Sequence, residues 1–371
     1  MTDESPMSNQ VYQLPSRIPE LDGLRAIAVL AVMSAHAGLP GFARGGVGVY
    51  LFFVLSGFLI TGILLDADKG KGYFKNFYAR RALRIFPIYY MTFAFLLALA
   101  FLQGLKTSDW PWYLAYAQNY LFIFKHFPPN FPSCFNHTWS LAVEEQFYFI
   151  WPFLIGILGK RRVFIVSLIF IPLAIGLRCF HIQAIFGPEV WTLPVNLNSL
   201  GGGAALAVAV RTFDRETLKK VCRALFLGGA IAWVVIQIFV SPYGMGWLEL
   251  GMVCCTTITF TGLVGTAVLS PPSLLSGFLS LGWMRYIGKI SYGLYLYHPL
   301  VFLLMWHLFR GQVVRPDHGK GVILLLVLAK FGLTFVAASL SWLLLEKRMN
   351  GFKKKFEYTR VTLSRIAQAP M

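Results

Sequence analysis

Leu21-Asp-Gly-Leu-Arg25-Ala-Ile-Ala-Val-Leu-Ala-Val-Met-Ser-Ala-His36 is the stretch that decides the fold. It is apolar except near its ends, and it sets an Arg and a His eleven positions apart. Eleven helical steps of about 100° and 1.5 Å make three turns plus roughly 20°, with a rise of about 16 Å. Both side chains then point the same way, Arg25 at the start of a membrane span and His36 deep inside it. Two such groups on one stripe of a bilayer helix cost free energy. They are expected to face a bundle interior or an aqueous cavity and to mark function.

The rest of the chain has the same apolar character. Hydrophobic residues make up 57% of its 371 residues and charged ones only 13%, against roughly 25% charged in a soluble domain. Charge-poor runs of about 20 residues recur along it. They predict an all-α polytopic membrane protein, one bundle of about ten transmembrane helices. The spans centre on Leu24–Ala37, Gly46–Leu65, Ile85–Leu105, Thr138–Leu158, Val163–Leu177, Trp191–Val210, Ala224–Val240, Leu250–Leu269, Ile290–Phe309 and Val322–Leu345. The first is too long and too polar at its tips for a plain signal peptide.

The net charge of +17 does not imply a nucleic-acid partner, because its distribution follows topology. With the N-terminus in the cytoplasm, 25 of the 33 Lys and Arg fall on the cytoplasmic side. They include Lys160-Arg-Arg162, the group from Arg211 to Arg223, and the cluster that starts at Lys347. This bias predicts both termini in the cytoplasm and an attraction to anionic membrane lipids. The uncharged segment Trp110–Phe124 would flip every later loop if it were a span. Its aromatic, Gln and Asn content suits an interfacial or re-entrant segment on the outer side. The expected organisation is a flexible N-terminal tail over residues 1–17, a transmembrane domain over 18–346, and a basic cytoplasmic C-terminal tail over 347–371. The five cysteines lack metal spacing, and no metal site is expected. Cys134 and Cys179 alone fall on or near the outer face, where a disulfide between them is open.

Four polar constellations stand out. In the first, a desolvated neutral His36 can accept a proton from a hydroxyl nucleophile, beside the in-phase Arg25. A buried His bonded to a backbone carbonyl is the bland alternative. In the second, Arg81 and Arg84 sit at i and i+3 where the third span begins. Their guanidinium pair suits bidentate phosphate binding, though positive-inside anchoring explains it as well. In the third, His137, Ser140 and Glu144 share one helix face. Thr138 or Ser140 can cap that helix, and Glu144 at its depth calls for a partner: Arg25, His36 or a substrate hydroxyl. The fourth is Gly288-Lys-Ile-Ser-Tyr292-Gly-Leu-Tyr-Leu-Tyr-His298-Pro299, read equally as a packed Tyr/His network or a catalytic element. Mid-span Ser56 precedes Gly57, a pair that more often permits close helix packing than supplies a nucleophile. Lys330 reads as a snorkelling lysine without a role.

Together these motifs resemble the acyltransferase-3 family of integral membrane O-acyltransferases. The likeness runs from Pro19-Glu-Leu-Asp-Gly-Leu-Arg25 through the Arg-X10-His spacing and Phe52-Phe-Val-Leu-Ser-Gly-Phe-Leu-Ile-Thr61. It continues through Arg81-X-X-Arg84, Trp139-Ser-Leu-Ala-Val-Glu144 and Ile290-Ser-Tyr-Gly-Leu-Tyr-Leu-Tyr-His298, covering about residues 18–346. Family members often carry Trp at the position of Tyr297, a conservative departure. The resemblance implies a ten-helix bundle in a bacterial inner membrane, an acyl-CoA donor (commonly acetyl-CoA) and an acceptor hydroxyl on an envelope carbohydrate or glycolipid. No resident cofactor is expected. Some members carry a fused extracytoplasmic esterase-like domain, which is not expected within this chain. The implied mechanism has Arg81 and Arg84 hold the donor's phosphates, Arg25 stand at the cavity mouth, and His36 act as general base or transient acyl carrier. Glu144 orients His36 or the acceptor, with His137, Ser140, Ser56, Tyr292 and His298 in support. A secondary transporter or a flippase for a lipid-linked sugar is the alternative from another class. Against it, no pair of corresponding interrupted helices is visible in two halves.

Overall fold

The computed structural model describes residues 18–39, 41–42, 44–70, 72–124, 130–180, 191–239, 246–269, 273–309 and 320–358. The N-terminal tail lies outside the described residues. The regular elements among them are helices: α1 (Pro19–His36), α2 (Gly48–Asp66), α3 (Tyr73–Leu102), α4 (Trp110–Leu114), α5 (Gln118–Phe124), α6 (Trp139–Ile157), α7 (Lys160–Phe180) and α8 (Leu193–Ala209). Then come α9 (Arg215–Phe239), α10 (Gly246–Leu269), α11 (Leu274–Leu279), α12 (Gly282–Lys289), α13 (Ser291–Leu308), α14 (Lys320–Ser341) and α15 (Lys347–Gly351). A 3₁₀ turn, Ser133–Thr138, leads into α6, and a π turn, Trp342–Glu346, joins α14 to α15.

Six of these helices are long and apolar enough to cross a membrane. Helices α1, α6, α8 and α13 have 17 to 19 residues and do not reach that threshold. Three of the four carry the first, third and fourth polar constellations, and α8 carries buried Asn196, Asn198 and Ser199; the second, Arg81 and Arg84, lies on α3. The Trp110–Phe124 segment does not span: it breaks into α4 and α5 around Tyr116, whose φ of 52° is incompatible with a continuing helix. Helix α3 begins at Tyr73, twelve residues before the expected span, so much of the expected inner loop is helix.

The middle of the bundle is held by close backbone approach. A Cβ at Gly57 of α2 would collide with the Leu200 carbonyl of α8, and one at Gly203 of α8 with the Val54 carbonyl. In lipid, where apolar surface gains nothing from leaving its solvent, such small-residue contacts are what draw helices together. Around this pair, α7 packs on α8, α9 on α10, α12 on α1 and α14 on α13.

One end of the bundle collects the basic residues. Arg211 grips Asp66 through Nε and Nη2 at 2.7 and 2.6 Å. Lys69 Nζ donates to the Ile155 carbonyl at 2.7 Å, and Arg80 Nη1 to the Lys353 carbonyl at 3.1 Å. Residues 347–358, expected in the C-terminal tail, therefore fold back on α3, where Asn76 also donates to the Glu357 carbonyl at 2.9 Å. One open question is answered and one smaller expectation is corrected. Cys134 and Cys179 are free thiols, and burial pushes the Cys134 thiol up to about 11, which keeps it protonated and inert. Lys330 does not snorkel. It is 7% exposed, with its ammonium 5.2 Å from the Phe302 ring.

Candidate active site

Helix α1 delivers His36 to its own end. Gly38 adopts φ 72°, the Leu39 amide donates to the Ser34 carbonyl at 3.1 Å, and the Gly38 amide donates to that of Ala35 at 3.0 Å. This is a Schellman stop, which needs a residue without Cβ strain at Gly38. His36 is thus the last helical residue and is exposed, not deep within the span as the sequence suggested.

Its partner comes from α13. His36 Nδ1 lies 2.8 Å from His298 Nε2, with the rings stacked at 5.0 Å. His298 is fully buried, and its Nδ1 is 3.1 Å from the Leu294 carbonyl. His137, in the 3₁₀ turn before α6, sets its ring 5.3 Å from that of His298, and neither of its buried ring nitrogens has a hydrogen-bond partner. The Tyr295 hydroxyl is 2.6 Å from Ser140 Oγ and donates to the His137 carbonyl at 2.9 Å. Ser140 therefore ties α6 to α13 and caps nothing. Thr138 occupies the N-cap position, yet its hydroxyl donates back to the Phe135 carbonyl.

A second cluster surrounds a concave cavity. Arg25 of α1 and Arg81 and Arg84 of α3 line it, opposite Glu144 of α6. Ser56 Oγ donates to Glu144 Oε1 at 2.7 Å. The Tyr148 hydroxyl lies 2.8 Å from Ser56 Oγ and 3.2 Å from Glu144 Oε2. Arg81 stands over the Tyr148 ring at 5.3 Å, and Arg25 pairs with Asp22 at 3.3 Å. A neighbouring cavity shares Arg25, Arg84 and Tyr292 and adds Lys289, Trp342 and Glu346. Glu346 is 6% exposed and its Oε1 has no partner. Three guanidiniums converging on a concave surface suit a polyanion such as a chain of phosphates.

Tyr295 stands between the two clusters. It lines the cavity beside Glu144, its ring is 5.8 Å from that of His298, and Phe52 packs edge-on against it at 6.1 Å. Arg25 and His36 are accordingly the two ends of one helix serving two different clusters. The hydrogen bonds of Glu144 go to Ser56 and Tyr148, and not to Arg25 or His36. Ser56 is no packing residue: adjacent Gly57 does that work, while Ser56 turns to the cavity. Sequence reading missed Tyr148, Asp22 and Glu346. The first two carry a signal in hindsight, being i+4 from Glu144 and i−3 from Arg25.

Comparison with known proteins shows the family. The family model described as an acyltransferase domain, acyltransferase-3, matches residues 18–346. Peptidoglycan O-acetyltransferase OatA of Listeria monocytogenes is 31% identical over 92% of this chain and 57% of its own length. O-acetyltransferase OatA of Staphylococcus aureus is 28% identical, over 96% and 62% respectively. Putative peptidoglycan O-acetyltransferase YrhL of Bacillus subtilis is 30% identical, over 91% and 56%. The chain thus spans about three-fifths of the length of these relatives. No solved structure matches. The match from the first described residue to the end of the π turn places the chain in the acyltransferase-3 family.

Proposed function

We propose that this protein is a membrane-embedded O-acetyltransferase. It would move an acetyl group from acetyl-CoA, bound from the cytoplasm, to a hydroxyl of a cell-envelope carbohydrate, with peptidoglycan the first acceptor to try. The observation that carries this reading is the division of the site: an arginine-lined cavity at one end of α1 and an exposed histidine at the other. The names of the relatives support the acceptor class.

The topology belongs to the same proposal. All ten helices of 17 residues or more cross a bacterial inner membrane, with both termini cytoplasmic. The basic end of the bundle, marked by Lys69, Arg80 and Arg211, then faces the cytoplasm. The arginine cavity opens toward that side, and His36 lies toward the outer one.

In the reaction, Arg25, Arg81 and Arg84 hold the phosphates of the donor. The pantetheine arm carries the thioester past Tyr295 toward His36. His36 removes the proton from the acceptor hydroxyl as its oxygen attacks the thioester carbonyl. A guanidinium or amide donor stabilises the resulting oxyanion. The C–S bond then breaks, and the thiolate takes the proton from His36. Glu144 holds Ser56 and Tyr148 against the cavity wall and shapes the donor site.

The test is purified protein in liposomes, supplied with labelled acetyl-CoA and peptidoglycan fragments. The expected result is acceptor-dependent release of free CoA with label on the fragment, reduced about 10³-fold in His36→Ala. No consumption of acetyl-CoA with any acceptor would falsify the reading. Passage of a lipid-linked sugar without CoA release would establish the transporter alternative instead.

A further inference from the structure

The hydrogen-bond chain through the two stacked histidines fixes which nitrogen of His36 can act. A carbonyl oxygen only accepts, so the contact from His298 Nδ1 to the Leu294 carbonyl places a hydrogen on His298 Nδ1. A neutral imidazole with its hydrogen there has an acceptor at Nε2. His298 Nε2 therefore accepts across the 2.8 Å contact, and the hydrogen of that bond sits on His36 Nδ1. Neutral His36 is left with a bare lone pair on Nε2, on the exposed residue of the pair.

We propose that His298 is a positioning residue: it holds His36 as the Nδ1–H tautomer and so assigns the base to His36 Nε2. The inference rests on the acyl-transfer reading and adds to it the atom that acts and the residue that aims it. When Nε2 takes the hydroxyl proton, the Nδ1–H of the imidazolium still donates to a neutral acceptor. The new positive charge then meets a lone pair and no second cation. The proton returns from the same Nε2 to the departing thiolate, which leaves both histidines as they began. The surroundings keep the pair in register. The His137 ring meets that of His298 at 71°, Tyr295 lies beside it, and Phe302 of α13 separates it from Lys330 of α14.

Two substitutions and one spectrum test this in the full-length protein in liposomes. His298→Leu removes the acceptor for His36 Nδ1–H, whereas His298→Gln offers an amide oxygen near the place of Nε2. The expected result for His298→Leu is a kcat about 10²-fold lower with the KM for acetyl-CoA within about twofold, and about tenfold recovery in His298→Gln. A packing defect alone would not be rescued by the amide. The ¹⁵N NMR shifts of histidine-labelled wild-type protein are expected to show His36 with Nδ1 protonated and Nε2 bare. Wild-type kcat in His298→Leu, or a hydrogen on His36 Nε2 in the wild-type protein, overturns the proposal. If wild-type protein consumes no acetyl-CoA, the acyl-transfer reading fails, and the spectrum alone still decides how His298 holds His36.

Discussion

Helices α2 and α9 are both apolar enough to cross a membrane, yet they are used in opposite ways. Two-thirds of the most apolar window of α2 is buried in the protein (67%), against 11% of that of α9. Hydrophobicity does not separate them. What does is how many neighbours close in: Gly48 and Gly57 of α2 admit the backbones of two helices, α1 and α8, where a Cβ would collide, whereas Gly229 of α9 admits that of one, α10. Helix α9 instead presents Leu227, Ile231, Val234 and Ile238 outward. Lipid tails are as apolar as leucine, so burial in such a bundle follows shape and polar partners before greasiness. The site lies where α2 meets the less apolar α1, α6 and α13, and the outer ring of apolar helices insulates it.

Gly57→Leu should break the central half of this contrast outright. Its side chain would run into the Leu200 carbonyl and the Ala204 amide nitrogen, both backbone that cannot turn aside, and overpacking of this kind costs about 3 kcal/mol or more. The expected outcome is loss of a folded, monodisperse protein in detergent, read by gel filtration and thermal melting. A normal melt would show that α2 and α8 are not locked. Next in size is Arg84→Gln, which takes one of three guanidiniums from the cavity wall. Charge-assisted bonds to phosphate are worth about 2 kcal/mol. The KM for acetyl-CoA should therefore rise about 30-fold with folding intact. An unchanged KM would place the donor elsewhere.

The same contrast explains what could be read before the structure. Apolar runs gave the bundle, because each span writes its signal in consecutive residues. The in-phase Arg25 and His36 were legible too, since helical geometry alone aligns them. Their separate partners were not. His298 meets His36 from 262 positions away, and Ser56 meets Glu144 from 88. Such pairs exist only through the packing of α1, α2, α6 and α13. The depth of His36 was misjudged because a Schellman stop at Gly38 depends on one backbone conformation, and an apolar count does not register it. Ser56 and Gly57 were read as one packing unit. Successive residues on a helix face about 100° apart, so one lines the cavity and the other the α8 contact.

Asp66→Asn probes the rim between the two regions. Its bidentate grip on Arg211 joins the ends of α2 and α8, but its side chain is 52% exposed. An ion pair so open to solvent is worth less than about 1 kcal/mol. The melting temperature should fall by a few degrees at low salt, and the difference should shrink as salt is raised. A loss of folding would mean that this contact, and not the glycine pairing, clamps α2 to α8.

Ile231→Ala completes the series with the smallest effect. In a packed core this change leaves a cavity and costs about 2–5 kcal/mol. At 65% exposure on α9 it faces lipid, which flows into the space the side chain vacates, so no cavity forms. Stability in lipid should therefore stay within about 0.5 kcal/mol of wild type. A drop beyond about 1 kcal/mol would show that this face of α9 is covered by packed protein in the membrane. The outer ring would then be an interface, and the difference between α2 and α9 would belong to the isolated chain alone.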